Sequence, residues 1–336
     1  MLRWLNIGLV LLTLLAYSAP YVNPERFWPL AVFGLLAPWL LLANALLAGY
    51  WLLKKKWTHA GISMAILLLG MDYWPRLGSP EGEGVSVVSL NCHAFIAKGQ
   101  RMSPEAVGNY FAGLQADVIC LQEFPFAARQ AADYIAAIGQ ATGLERHYRD
   151  KDGGLAVFSR YPLERGQGHF FANHANGFLQ VDIMMPQQTV RLFNVHLQTN
   201  AITGMANRVA AEGDLQRRET WLTIKGMLTR YGRSARKRIP QVSEILERAR
   251  KSPHPVLLCG DFNEVPASYT YRHSAGLLAD AFMQAGSGMG STYAGPLPGL
   301  RIDYVMHDRS WATTAFRTVE APFSDHRAIR AVIDIP

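Results

Sequence analysis

The stretch Val256-Leu-Leu-Cys-Gly-Asp-Phe-Asn-Glu-Val-Pro266 joins an apolar run to polar side chains at its end. The run 256–259 is bounded by a proline and a glycine, which is typical of a short strand in a sheet core. Asp261 and Asn263 follow on the turn that leaves this strand. A carboxylate and an amide at a strand end can bind a hydrated phosphate or the water shell of a metal ion. Ordinary Gly-Asp turns have the same letters, so the rest of the chain must decide between the two interpretations.

Apolar runs elsewhere in the chain predict further strands at 85–90, 117–122, 155–159, 178–184, 190–197, 301–306 and 328–335. Helices are predicted at 104–114, where Ser103 is an N-cap, and in the Ala-rich segment 127–142. The runs 178–184 and 190–197 flank a short turn and predict an antiparallel pair. Strands dominate and helices are interspersed. We therefore expect an α+β fold with two packed sheets, outer helices and a site along one sheet edge.

Polar residues close or follow these runs repeatedly: Asn91, Glu123, His196, Asp261, Asn263, Asp303, Asp325 and His326. Each one alone has an ordinary explanation as a loop acid, a core histidine or a turn cap. Together they form a set of carboxylates and amides without cysteine, which favours Mg²⁺, or Mn²⁺, over a structural zinc. Two histidines with carboxylates to orient them are suited to acid–base and charge-stabilising chemistry.

Composition separates the chain into parts. The net charge of the 336 residues is +7, and the segment 201–251 carries twelve basic and five acidic residues, which accounts for the whole excess. The cysteines at 92, 120 and 259 all lie inside apolar runs. Their odd number and strand positions predict buried small hydrophobic residues rather than a disulfide framework or a metal cluster.

Residues 1–77 predict a membrane region with two to three transmembrane helices, and 78–84 a linker rich in glycine. Segment 27–53 has no charge and is long enough to cross a membrane, whereas the third apolar run, 60–71, is short for a span. Lys54-Lys-Lys56 is the strongest basic loop and is expected in the cytoplasm, which puts residues 85–336 outside it if three spans are present. A third run that does not cross would leave the large domain in the cytoplasm. Alternatively, the first segment is a signal peptide with Ala16-Tyr-Ser18 as its cleavage site.

Seven short motifs occur in order: Ser89-Leu-Asn91, Leu121-Gln-Glu123, Gly154-Leu-Ala-Val-Phe-Ser-Arg160, Asn194-Val-His-Leu197, Gly260-Asp-Phe-Asn263, Arg301-Ile-Asp-Tyr304 and Ser324-Asp-His326. They resemble the ordered motifs of the endonuclease/exonuclease/phosphatase superfamily, which has the DNase I-like fold. The resemblance covers about residues 84–336 and implies a four-layer αββα sandwich over the catalytic domain, 85–336.

The resemblance also implies roles for individual residues. Glu123 is similar to the principal metal ligand of the superfamily, and Asn91 and Asp325 are expected close to the same Mg²⁺, or Mn²⁺, ion. His93 stands where some relatives have an acidic or apolar residue, and we expect it to fill space rather than face the metal.

The resemblance gives the remaining motif residues catalytic roles. Asp261 matches the residue that orients or deprotonates the attacking water, and Asn263 a contact to the water and a phosphate oxygen. His326, oriented by Asp303, is similar to the charge-stabilising or acid–base histidine. His196 is similar to a second histidine facing the phosphate, although no acidic partner for it is evident from the sequence.

The basic insert at 201–251 has apolar residues at helical spacing, which predicts two amphipathic helices packed on the sandwich. This pattern puts Trp221 on the apolar side of the first helix and Arg238 on the polar side of the second. An equally open interpretation is a cationic arm for anionic lipid headgroups or for a nucleic-acid backbone. Loops around Tyr269, Tyr271 and Arg272 are candidate substrate-binding elements because of their place in the chain.

The sequence thus predicts a membrane-anchored, Mg²⁺-dependent phosphodiesterase of a bacterial-type inner membrane, with its catalytic domain outside the cytoplasm. Its expected partners are the lipid bilayer and a phosphoester substrate. The favoured substrate is a lipid-linked phosphoester or a phospholipid or sphingolipid headgroup. No protein partner is inferred. A membrane-tethered endonuclease or exonuclease acting on nucleic acid is the alternative, and a non-catalytic membrane scaffold is the second alternative.

Overall fold

A computed structural model describes residues 2–97, 99–150, 154–172, 175–214, 216–295 and 297–336. The chain divides into two compact units. The first unit comprises Met1–Pro75, Asn200–Ile239 and Glu264–His273. The second comprises Arg76–Thr199, Pro240–Asn263 and Ser274–Pro336.

The helices are α1 Leu2–Ser18, α2 Pro24–Phe27, α3 Pro29–Leu53, α4 Trp57–Leu69, α5 Pro104–Leu114, α6 Ala128–Thr142, α7 Thr203–Glu212, α8 Arg218–Arg250, α9 Tyr269–Leu277 and α10 Ala281–Ala285. The strands are β1 Val85–Asn91, β2 Ile96–Ala97, β3 Gln100–Arg101, β4 Val118–Gln122, β5 Arg146–Arg149, β6 Ala156–Ser159, β7 Leu163–Phe170, β8 Gly177–Met184, β9 Thr189–His196, β10 Val256–Asp261, β11 Ala279–Asp280, β12 Asp303–His307, β13 Ala312–Val319 and β14 Ala328–Asp334.

Two mixed six-stranded sheets form the second unit. The first sheet has the order β13-β14-β1-β4-β6-β5, and the second has the order β11-β12-β10-β9-β8-β7. Each sheet contains one parallel pair at its centre, β1 with β4 and β9 with β10. Because parallel neighbours end at the same edge, the carboxyl ends of these four strands can present side chains together.

The sheets pack face to face through apolar side chains from both, which include Val87, Cys120, Leu192 and Val305. The outer face of the first sheet is covered by α5 and α6, and Phe111 is among the side chains buried there. On the second sheet, the guanidinium of Arg248 in α8 lies 5.2 Å from the ring centroid of Phe178. The predicted two-sheet core with outer helices is therefore confirmed. The three cysteines are free and buried, as expected.

Several boundaries differ from the predictions. Strand β10 extends through Asp261, so this residue lies on the strand and not on the turn after it. The sequence analysis did not predict β5, β7 or β13. β5 and β7 are edge strands whose residues are mostly partly exposed, which removes the continuous apolar run typical of a central strand.

The apolar helices of the first unit have the reverse of the usual burial pattern. Large apolar side chains point outward along them, and these include Leu5, Leu11, Leu42, Leu46, Leu53 and Leu69. Polar side chains are buried between the helices: the Nδ2 of Asn44 donates to Thr13 Oγ1 at 2.8 Å, and Ser63 donates to Asn6 Oδ1 at 2.7 Å. Hydrogen bonds of this kind between helices are a feature of transmembrane packing.

Two of these helical segments, Leu2–Tyr21 and Pro29–Leu53, are long and apolar enough to cross a membrane. A signal sequence or a buried core helix would meet the same length and composition criteria. The third, α4, has only 13 residues. It runs parallel to α1, because Asn6 contacts α4 near its start and the Tyr17 hydroxyl donates to the Ile66 carbonyl near its end.

The basic insert differs from its prediction in two respects. It contains the short α7 and one continuous 33-residue helix, α8, rather than two similar amphipathic helices. Arg238 was predicted on the solvated face but is fully buried. Its Nε and Nη2 atoms donate to Glu264 Oε1 at 2.9 and 2.6 Å. Trp221, predicted on the packed face, is 56% exposed.

Candidate active site

Strand register brings three predicted residues side by side in the second sheet. Asp261 on β10 is paired with His196 on β9 and with Asp303 on β12. In-register neighbours point to the same face of a sheet, so the carboxylates and the imidazole converge. Gly260, with a φ of 140°, precedes Asp261, and a Cβ at this position would collide with the carbonyl oxygen of Val195. Only glycine fits this conformation, so the glycine of the motif permits the strand to approach β9 closely.

The first sheet contributes the residues on the opposite side. Asn91 ends β1, Glu123 follows β4, and Asp325 and His326 precede β14. Asn91 donates through Nδ2 to Glu123 Oε1 at 3.0 Å and to Asp261 Oδ2 at 3.1 Å. One amide therefore bridges carboxylates from the two sheets and fixes their separation.

Asp261 is the centre of the site. Its Oδ2 also accepts from Asn263 Nδ2 at 3.0 Å, and its Oδ1 accepts from the Asn263 backbone N–H at 2.8 Å. Burial raises the pKa of this carboxyl and the charge of Asp303 raises it further, while the two histidines and Asn91 oppose the shift. A carboxylate held by amide donors with a raised pKa is suited to accept a proton from water.

His326 is held by Asp303. Its Nδ1 lies 2.9 Å from Asp303 Oδ2 and 3.1 Å from Oδ1, and its Nε2 lies 3.9 Å from Asp261 Oδ2. Burial lowers the pKa of His326, but the charges of Asp303 and Asp261 and the hydrogen bond to Asp303 outweigh it and raise the pKa to about 10. The imidazole is therefore a cation at neutral pH in the absence of a bound ion, and it can stabilise negative charge on a phosphate.

His196 has the acidic neighbours that the sequence did not reveal. Its Nε2 lies 3.7 Å from Glu123 Oε1 and 3.7 Å from Asp261 Oδ2. The hydroxyl of Thr199 is 3.4 Å from the same nitrogen. The imidazole is buried and faces the space between the two carboxylates.

Two groups of residues are candidates for holding a divalent ion. Asp261, Asp303 and His326 are buried, and one donor atom from each lies within 4.8 Å of the others. Both oxygens of Asp303, however, are already within hydrogen-bond distance of His326. Glu123 and Asp325 have more accessible carboxylates, with side chains 38% and 32% exposed. The donors of the second group are hard oxygens open to solvent, which fits Mg²⁺ or Mn²⁺.

His93 does not fill space in the core. Its side chain is 49% exposed, and its Nδ1 lies 3.2 Å from Asp325 Oδ1. The hydrogen bond to Asp325 is the largest cause of the raised pKa of His93. The expectation that His93 is a packing residue is therefore wrong, because the backbone turns it toward Asp325.

A buried polar bridge beneath the site was not identified from the sequence. Gln122 donates to Asn194 Oδ1 at 2.7 Å, and Asn194 donates to the carbonyls of Leu121 and Ala156. Both side chains are fully buried. The bridge ties β4 of the first sheet to β9 of the second, one residue before Glu123 and two residues before His196. Its only sequence signal is an amide inside each of two apolar strands.

The loop at 291–295 lies beside the histidine. Tyr293 forms an isolated bridge with His326, and the two ring centroids are 6.0 Å apart. A cavity of about 630 Å³ lies along this loop, and Tyr293 and Arg327 are among its lining residues. The cavity therefore reaches the neighbourhood of His326 through Tyr293.

Tyr269, Tyr271 and Arg272 lie in α9 and not in a loop as expected. They belong to the first unit, whereas the residues of the site belong to the second. The Tyr269 ring stacks on His273, and the Arg272 guanidinium lies 3.9 Å from the ring centroid of Tyr21. Their substrate-binding role stays a prediction.

The raised pKa of His326 gives a testable pH dependence. A group with a folded-state pKa above its unfolded value stabilises the fold fully below the unfolded pKa. This stabilisation is lost as the pH rises from 6.5, the ordinary value, through about 10. We expect the melting temperature of full-length protein in detergent with a chelator to fall over this range. Asp303→Asn should show a smaller fall, and parallel falls in the two proteins would contradict the assignment.

Comparisons with known proteins agree with this geometry. The sequence profile of the endonuclease/exonuclease/phosphatase family matches residues 88–326. The chain belongs to this family. Residues 1–77 match a separate domain of unknown function, DUF8431. No curated protein matches the chain significantly.

Solved structures show the fold at low sequence identity. A family member from Leptotrichia buccalis is 16% identical with a TM-score of 0.53, over 75% of this chain and 100% of its own. One from Beutenbergia cavernae is 19% identical with a TM-score of 0.53, over 76% of this chain and 72% of its own. Sphingomyelinase C from Streptomyces griseocarneus is 20% identical over 75% of this chain and 99% of its own, with a TM-score of 0.48. The two likenesses with a TM-score of 0.53 establish the DNase I-like α+β fold, and none of the three carries information on substrate.

Proposed function

We propose that the protein is a membrane-anchored phosphodiesterase that requires a divalent ion and hydrolyses a lipid-linked or phospholipid headgroup phosphoester. The observation that carries the reaction class is the arrangement around Asp261. A buried carboxylate, two histidines and two amides converge on one point from both sheets, beside accessible carboxylates that can hold a cation. Family membership supports hydrolysis of a phosphoester.

Each residue around Asp261 has a separate role in the proposed hydrolysis. Asp261 accepts a proton from the attacking water. Asn263, whose amide donates to Asp261, orients this water. The His326 cation, fixed by Asp303, stabilises the negative charge that develops on the phosphoryl oxygens. His196 is placed to bind a second phosphate oxygen.

Glu123 and Asp325, with Asn91 beside them, would hold the divalent ion, and Mg²⁺ is the ion that their oxygen donors favour. Asn91 now presents its nitrogen to Glu123 and its oxygen to the backbone N–H of His93. It would join an ion only after rotation of its amide. When bound, the ion supplies a positive charge that polarises the phosphoester and lowers the barrier to attack.

Burial in the first unit supports membrane anchoring. Its apolar helices have leucines outward and hydrogen-bonded polar side chains inward, which suits a lipid surrounding better than water. Because α1 and α4 run parallel, their C-terminal ends would lie on the same side of the membrane. The Tyr17 ring packs against Gly70, just beyond α4, so that no side chain fits there. Three spans would then carry the polypeptide after α4 to the side opposite Lys54–Lys56.

By the positive-inside rule, that side is outside the cytoplasm. A fusion of full-length protein to a reporter that is active only outside the cytoplasm, inserted after Gly84, tests this orientation. We expect signal from the fusion. A silent reporter in a membrane-inserted protein would place the catalytic domain in the cytoplasm.

The cationic face of α8 supports a lipid surface as the working environment. Within the first unit the helix exposes six basic residues and two large apolar ones: Arg218, Lys225, Arg230, Arg233, Arg236, Lys237, Trp221 and Leu222. The Trp28 ring, from the segment between α2 and α3, packs directly on Gly232 of α8. Each basic residue near an anionic surface adds about 1 kcal/mol of attraction. Exposed tryptophan and leucine beside such charges are typical of interfacial helices.

A nuclease is the second candidate, because the same basic face could hold a nucleic-acid backbone. One experiment distinguishes the lipid phosphodiesterase from the nuclease. Full-length protein in nanodiscs is given plasmid DNA in one assay and bilayers of phosphatidylglycerol, phosphatidylethanolamine or sphingomyelin in another. We expect headgroup release that requires Mg²⁺ and is absent from Asp261→Asn. DNA cleavage that is lost in this variant, with the lipids intact, would make the protein a tethered nuclease. The absence of both headgroup release and DNA cleavage in the wild type would favour a non-catalytic scaffold.

A further inference from the structure

The backbone after Asn91 adopts an uncommon conformation. His93, Ala94 and Phe95 have φ angles of 46°, 49° and 58° in succession. For residues with a side chain, left-handed backbone costs about 1–2 kcal/mol each, so it persists only where the surroundings enforce it. Consecutive positive values in three non-glycine residues therefore imply strong anchors on either side.

Two anchors hold the segment in place. Phe95 is fully buried among aromatic rings that include Tyr134 and Phe323, with centroids 4.5 and 5.3 Å away. The backbone N–H of Ala94 donates to the carbonyl of Glu123 at 2.9 Å. Both anchors are on neighbours of His93, whose own side chain is left half-exposed. The anchors thus fix the imidazole relative to the loop that carries Glu123.

The distance to Asp325 fits a shared ligand. The Nδ1 of His93 and the Oδ1 of Asp325 are 3.2 Å apart, and both side chains are partly open to solvent. Two donors at right angles around one ion, each about 2.1–2.3 Å from it, lie roughly 3.0–3.2 Å from each other. The pair therefore requires little movement to bind one cation together.

We propose that His93 is a nitrogen ligand of the divalent ion, beside Asp325, and that it gives the site a preference for a first-row transition ion over Mg²⁺. This inference rests on the metal site of the proposed function and adds a ligand to it. Mg²⁺ prefers oxygen donors and retains its waters, whereas imidazole nitrogen strengthens binding of transition ions. The identity of the ion is thus set by a residue outside the set of oxygen donors.

Mn²⁺ is a suitable probe because its electron spin reports directly bound nitrogen. Full-length protein in nanodiscs without substrate would be titrated with Mn²⁺, and the bound ion examined by electron spin-echo envelope modulation. His93→Asn removes the nitrogen donor and keeps a residue that tolerates left-handed backbone. His147→Asn, on exposed β5, is the matched control.

We expect ¹⁴N modulation in the wild type and in His147→Asn and none in His93→Asn. The Mn²⁺ dissociation constant should rise about 10–100-fold in His93→Asn, the scale seen when groups that support a metal are removed. The Mg²⁺ constant should change much less. These results together would establish His93 as a ligand.

Other outcomes overturn the proposal at distinct points. Modulation that persists in His93→Asn and disappears in His196→Asn would assign the nitrogen to His196. Equal changes in the Mn²⁺ and Mg²⁺ constants would show that His93 pairs with Asp325 only as an ion pair. Failure of the wild type to bind either ion would overturn the metal site of the proposed function itself, independently of His93.

Discussion

Asp261→Asn is expected to lower the rate of phosphoester hydrolysis about 10³-fold, within the roughly 10²–10⁴-fold range of general base catalysis. The substitution keeps the shape of the side chain and removes the charge that accepts the proton. Both oxygens of Asp261 accept hydrogen bonds from amide or backbone N–H groups. An amide at this position must turn its own N–H₂ group toward one of these donors. We therefore also expect a fall of a few degrees in melting temperature, too small to explain the loss of activity.

The measurement is the turnover of wild type and variant in nanodiscs with saturating Mg²⁺, at a temperature well below both melting transitions. Asp334→Asn is the matched control, since Asp334 is an exposed aspartate at the end of β14. We expect it to retain full activity. Activity of Asp261→Asn within tenfold of the wild type (about 1.4 kcal/mol) would exclude Asp261 as the base.

Arg238→Met is expected to destabilise the first unit by about 3–5 kcal/mol, the usual cost when one partner of a buried ion pair is removed. Arg238 is fully buried and Glu264 nearly so. Glu264 also accepts from the Tyr231 hydroxyl at 2.8 Å, and Arg238 donates to Asn200 at 2.9 Å. Methionine fills the space of the arginine stem but leaves the Glu264 charge without its guanidinium.

Thermal unfolding of full-length protein in detergent provides the measurement. At roughly 2–4 °C per kcal/mol, the melting temperature of Arg238→Met should fall by about 6–20 °C. Arg236→Met, on the exposed face of the same helix, should change it little. Adding Glu264→Gln to Arg238→Met should recover part of the loss, because no unpaired charge then remains. A melting temperature like that of the wild type for Arg238→Met would refute a stabilising role for the pair.

The meeting of the motif residues at one edge could be expected from the sequence for a physical reason. Polar residues such as Asn91 and Asp261 end apolar strands, and strand ends in a two-sheet core meet at one edge. The order of the motifs then fixes which strand carries which residue. The hydrogen bond of His326 to Asp303 could be expected from the resemblance, and the structure brings the two side chains within 2.9 Å.

Other features of the structure could not be predicted from the neighbouring residues in the sequence. Arg238 belongs to a helix with many cations, and only the tertiary contact with Glu264 distinguishes it from the solvated ones. The orientation of His93 depends on left-handed backbone held by the distant aromatic cluster of Phe95. Edge strand β7 lacks an apolar run because much of it is partly exposed. For Arg238 and His93 the deciding contacts are tertiary, and for β7 the cause is its place at the edge of the sheet.

The division of the site between the sheets has a consequence for the chain before it is folded. Asn91 ends β1 and His326 precedes β14 of the first sheet, whereas Asp261 and Asp303 lie on strands of the second, so the contacts of Asn91 with Asp261 and of His326 with Asp303 join the two halves. The second sheet carries the proposed proton acceptor Asp261 but not the His326 cation. On the proposed mechanism we therefore expect a nascent or partly assembled chain to be inactive, and phosphoester cleavage to begin only when the two halves of the sandwich have closed on each other. Hydrolytic activity is in this sense a direct reporter of completed folding.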